Sequence, residues 1–62
     1  METNLRKTGE NQYEVLVDGQ VIGQVWNWHG SWSAQANRET YHNHKSRKQA
    51  VERIEQIYRL SR

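Results

Sequence analysis

The stretch Tyr13-Glu14-Val15-Leu16-Val17-Asp18-Gly19-Gln20-Val21-Ile22-Gly23-Gln24-Val25-Trp26 decides the fold. β-branched and aromatic residues flank Asp18-Gly19, a turn signal, so the segment reads as a β-hairpin. Further along, His29-Gly30 is a second turn signal, and Trp32-Ser33-Ala34-Gln35-Ala36-Asn37 alternates strictly, which predicts a third strand. A short fourth strand fits around Thr40-Tyr41-His42.

Register decides which of these residues face a core, because a slip of one residue exchanges the faces. A two-residue turn at Asp18-Gly19 would set Glu14 and Leu16 on the side of Trp32, Ala34 and Ala36, burying an acid. A three-residue loop Val17-Asp18-Gly19, with Gly19 left-handed, instead aligns Tyr13, Val15, Val21, Gly23, Val25, Trp32, Ala34 and Ala36. The second register keeps the acid out of the core and is the one the sequence predicts. The opposite face then carries Glu14, Leu16, Ile22, Gln24, Trp26, Trp28, Ser33, Gln35 and Asn37.

The C-terminal segment has helical period. Ser46-Arg47-Lys48-Gln49 has the spacing of a capping box, and Ala50, Val51, Ile54, Ile57 and Tyr58 recur at three and four residues as an apolar stripe. Glu55 and Arg59 are expected to pair on its flank. Gly23, Ala34 and Ala36 are small enough for this helix to approach the sheet closely. The fold class is therefore α+β: an antiparallel three-stranded sheet packed on one C-terminal helix, in the order β-β-β-α. Residues 1–12 lack either period and read as a flexible lead-in, with residues 13–62 as the single domain.

Composition agrees with one small domain. The chain has 62 residues and no cysteine, which removes disulfides, thiolate metal sites and cysteine nucleophiles. No apolar run approaches a membrane span and no signal-peptide core is visible, so a cytoplasmic protein without a membrane partner is expected. Charge is segregated: residues 1–44 hold three basic and five acidic groups, whereas residues 45–62 hold six basic and two acidic. A basic end of this kind suits an anionic partner.

Two surfaces stand out. On the predicted outer face, Trp26 and Trp28 lie beside Gln24, Gln35 and Asn37. Amide side chains can read adenine edges in a groove, and indoles can stack on the bases of a single strand. At the helix start, Lys45, Arg47 and Lys48 gather cations where the helix dipole is already positive, an arrangement that a phosphate would relieve. Arg38 would extend that patch if the fold carries it there. His42 and His44 sit at alternate positions, with His29 far along the chain, and no third metal ligand accompanies them. The acids form no paired site, no nucleophile–base spacing appears, and a pocket of several hundred Å³ is not expected from so short a chain. The reading is a small non-catalytic nucleic-acid-binding module without cofactor or metal, as monomer or homodimer, with DNA ahead of RNA. The alternative is a protein-interaction or inhibitor module using Leu16, Ile22, Trp26 and Trp28.

Gly30-Ser31-Trp32-Ser33-Ala34, the β-like stretch through Tyr41, and Ser46 with Ala50 four residues on resemble two related modules. These are the plant ethylene-responsive-factor DNA-binding domain and the arm-site-binding domain of tyrosine integrases. The resemblance spans residues 21–58 and implies a three-stranded sheet, backed by one helix, that lies in the DNA major groove. It would put Trp32, Trp26 and Trp28 at or near the reading sheet. Separately, mobile elements encode many compact proteins of this size, so an accessory or regulatory role of that kind fits the expectation. The several arginines on the reading strands of the plant domains are here reduced to Arg38. Ser46-Arg47-Lys48-Gln49-Ala50-Val51 is also similar to the helix start of double-stranded-RNA-binding domains, which need a preceding helix that residues 1–12 do not supply.

Overall fold

Two successive residues at positive φ reverse an antiparallel strand pair with a twist that matches the strands themselves. This chain does so three times: at Asp18 and Gly19 (φ 51° and 85°), His29 and Gly30 (50° and 83°), and Asn37 and Arg38 (52° and 67°). A fourth reversal uses Asn11 (58°) alone. The computed structural model describes residues 2–60. It contains β1 (Thr3–Gly9), β2 (Gln12–Val17), β3 (Gln20–Trp28), β4 (Ser31–Ala36), β5 (Glu39–His44) and α1 (Arg47–Leu60). The strands form one antiparallel sheet in the order β1-β2-β3-β4-β5.

The α+β class with one C-terminal helix agrees with the sequence reading, but the sheet has five strands rather than three or four. Thr3–Gly9, expected as a flexible lead-in, is β1, paired with β2 from Thr3 opposite Val17 to Lys7 opposite Tyr13. Its sequence is too polar to show a period, since only Leu5 is a large apolar residue; β2 organises it through the backbone. The short strand anticipated around Tyr41 is the full strand β5. Residue 1 of the expected lead-in and residues 61 and 62 of the expected domain lie outside the described residues.

The first hairpin also turns differently. Val17 pairs with Gln20 across a two-residue turn at Asp18-Gly19, and the extra residue appears later, at Ile22, where the register shifts between Leu16–Val21 and Val15–Gly23. This bulge lets the favoured turn coexist with the apolar register, and Glu14 stays off the core. Tyr13, Val15, Gly23, Val25, Ala34 and Ala36 share the helix side as expected. Val21 and Ile22 exchange roles: Ile22 packs against the core, while Val21 is 44 % exposed.

The core is small and dense. Val15, Val25, Ala34, Ala36, Ala50 and Ile54 form one buried cluster, flanked by Tyr13, Trp32, Val51 and Ile57. The helix lies over β3, β4 and β5. It begins with the predicted cap in shifted form: the Gln49 N–H donates to Ser46 Oγ at 3.2 Å, whereas Gln49 Oε1 accepts from the Lys45 N–H at 3.0 Å, one residue before the cap instead of at Ser46 itself. The expected Glu55–Arg59 pair is replaced. Glu55 accepts from the Thr3 hydroxyl at 2.6 Å, tying the helix to β1, and Arg59 donates to the Glu55 carbonyl at 3.4 Å. Among the described residues no helix is long and apolar enough to cross a membrane.

Candidate nucleic-acid interface

Side chains alternate across a strand, so the pairings sort the sheet into a helix side and an open side. Three rows cross the open side. Asn4, Leu16 and Val21 form one; Arg6, Glu14, Gln24, Gln35 and Thr40 form the next; Gln12, Trp26 and Ser33 form the third. Trp28 follows, opposite Ser31 at the end of the sheet. It is 62 % exposed, and its ring meets His29 edge-on with centroids 4.3 Å apart. Trp26 is half-buried, Gln24 and Gln35 are exposed, and Arg6 and Glu14 form an ion pair.

The polar floor of this side is ordered. Ser33, only 2 % exposed, shares a hydrogen bond of 2.9 Å with His42 Nδ1. A register shift between Trp32 and Ala34, with Asn43 at φ 69°, breaks the alternation along β5. His42 therefore joins Ser33 on the open side, while His44 pairs with Trp32 and its Nδ1 lies 3.1 Å from the Trp32 carbonyl oxygen. The two histidines do not share a side as alternate positions would, and among the described residues no group of three metal-ligating side chains converges.

The predicted phosphate-binding cations lie elsewhere. Lys45, Arg47 and Lys48 are exposed at the start of α1, on the helix side. The Arg47 guanidinium sits over the Tyr13 ring, 4.8 Å from its centroid. Strand direction puts these cations at the end of the sheet that carries Trp28 and the His29-Gly30 turn. Asn37 and Arg38 form the β4–β5 turn at the opposite end, so Arg38 does not extend the patch. Gln24, Trp26, Trp28 and Gln35 are thus brought together on one face, the three cations are reached around its edge, and Asn37 and Arg38 stand apart.

Two components escaped the sequence reading. Arg6 belongs to a strand that polarity concealed, and Gln12 enters the Trp26 row through the β2–β3 register. The apolar patch of the alternative reading loses a member, because Ile22 turns to the core. A groove of about 650 Å³, lined by Thr3, Leu5, Trp32, Val51 and Glu55 among others, runs between β1 and α1, larger than so short a chain was expected to carry. Tyr41 donates its hydroxyl to the Glu39 carboxylate, which holds the phenol above its ordinary value of 10.0, against the lowering effect of nearby Arg53.

The site and fold define a class: a meander of five antiparallel strands with one face under a helix and the other open, aromatic and amide-rich. Comparison with protein-family models, with curated proteins and with solved structures returned no match.

Proposed function

We propose that this protein is a non-catalytic module that binds nucleic acid as a single strand across the open face of the sheet. The observation that carries this reading is the exposure of Trp28 beside half-buried Trp26, with Gln24 and Gln35 on the neighbouring row. An aromatic pair on a sheet supplies stacking surfaces for successive bases, and stacking needs no guanine-reading arginine; Arg6, the arginine in the neighbouring row, is held in an ion pair by Glu14. The amides offer hydrogen bonds to base edges.

Geometry favours a single strand over a duplex. The cations Lys45, Arg47 and Lys48 lie on the far side of the sheet, at the Trp28 end. A stiff duplex seated on the open face reaches past them, whereas a flexible strand can turn around the His29-Gly30 end and bring its phosphates to them. DNA remains ahead of RNA.

The test is fluorescence anisotropy of labelled single-stranded and duplex oligonucleotides over a salt series. Single strands should bind more tightly, with affinity falling by a logarithmic slope of about 0.7 per phosphate contacted. Lys48→Ala should flatten that slope. Absence of binding to either form at low salt overturns the proposal.

A further inference from the structure

We infer that two copies of this chain associate through β1, antiparallel and edge to edge, with Leu5 opposite the partner's Leu5. This does not rest on the nucleic-acid reading. The Glu2 carbonyl accepts the Asp18 N–H at 3.1 Å, so Glu2 and Asp18 form a hydrogen-bonded pair. Bonded and non-bonded pairs alternate along an antiparallel ladder. Asn4 and Arg6 therefore direct their backbone groups into β2, and Thr3, Leu5 and Lys7 direct theirs outward, at the edge of the sheet.

Unpaired edge groups are a template for another strand. The other edge, β5, is interrupted within the strand by its register shift and by Asn43 at φ 69°. The β1 ladder runs from Thr3 to Lys7 without a shift. The helix packs mainly on β3 to β5 and reaches β1 through the side chain of Glu55 at Thr3, and Leu5 at the centre of the strand is 39 % exposed.

The side chains select both the occupant and the register. Centring on Leu5 sets Thr3 opposite the partner's Lys7 and Asn4 opposite the partner's Arg6, so no like charges face each other. Centring on Arg6 or Lys7 would pair two cations. With Leu5 at the centre, all three outward residues of each copy find a doubly hydrogen-bonded partner. Thr3 already donates to Glu55 Oε2 at 2.6 Å. The partner's Lys7 therefore arrives beside a carboxylate, and by symmetry the contact is made twice. The partner's strand also continues the floor of the groove that Thr3 and Leu5 line.

The experiment combines sedimentation velocity over a concentration series with amide hydrogen exchange on the full chain. The expected result is a concentration-dependent dimer in which the amides of Thr3, Leu5 and Lys7 become protected as it forms, while those of Asn4 and Arg6 are protected throughout. Leu5→Pro removes an outward N–H and no β1–β2 bond, and should abolish the dimer. Lys7→Glu should do the same, and Lys7→Glu with Glu55→Lys should restore it, which guards against a proline variant that fails to fold. A monomer at every concentration overturns the inference. So does a dimer that Lys7→Glu leaves intact, or one in which the three outward amides exchange freely.

Discussion

Ile54 sits on Gly23: a methyl group added at residue 23 would lie 2.9 Å from Ile54 Cγ2 and 2.7 Å from the Gln35 carbonyl oxygen. The absence of a side chain at this one position in β3 lets a fully buried helix residue touch the sheet. Ala34, Ala36 and Ala50 complete a seam of small residues around the same contact.

Gly23→Ala is accordingly expected to destabilise the fold by about 1–3 kcal/mol, because a backbone carbonyl cannot yield as a flexible side chain can. Ile54→Ala opens a cavity at the same place and should cost about 2–5 kcal/mol. Urea unfolding followed by circular dichroism checks both; a neutral Gly23→Ala would mean that the helix rides higher over the sheet.

Trp28 and Trp26 should separate function from stability. Trp28→Ala removes an exposed ring and should leave the unfolding midpoint nearly unchanged while weakening oligonucleotide binding by about 1–3 kcal/mol. Trp26→Ala should lower both, since this half-buried ring stands opposite buried Ser33. Parallel anisotropy and unfolding measurements distinguish the two.

Ser46→Ala removes the acceptor of the Gln49 N–H and is expected to cost about 1 kcal/mol. The loss should appear as faster amide exchange in the first turn of α1, with the sheet amides little affected. Uniformly faster exchange would show that the cap supports the whole fold.

The Tyr41 phenol should titrate above 10.0, chiefly because its hydroxyl donates to the Glu39 carboxylate, and Glu39→Gln should bring it back toward that value. A folded-state value raised above the unfolded one favours the protonated form. The stabilisation is present in full below the unfolded value and is lost as pH rises through the folded one. Ultraviolet titration of tyrosinate in the wild type and Glu39→Gln, referenced to a Tyr41→Phe variant, reads the shift directly.

Legibility followed the strength of local patterns. Ser46 and Gln49 announce the cap because their partners lie within one helical turn. Tyr13, Val15 and Val25 announce the helix side because burial demands alternation. Thr3–Gly9 announces nothing, since its order comes from pairing with β2. Val21 and Ile22 are two adjacent β-branched residues, and sequence cannot say which of them a bulge turns inward.

Alternation and helical period alone determined that this chain is a sheet with a helix on the side of Ala34 and Ala36, leaving Trp26 and Trp28 on the other. Both are short-range consequences of hiding apolar side chains from water. The tertiary structure decided the number of strands, the bulge at Ile22, the separation of Arg38 from Lys45, Arg47 and Lys48, and the bond from Thr3 to Glu55. Those depend on hydrogen bonds and chain direction between residues distant in sequence, which no local pattern encodes.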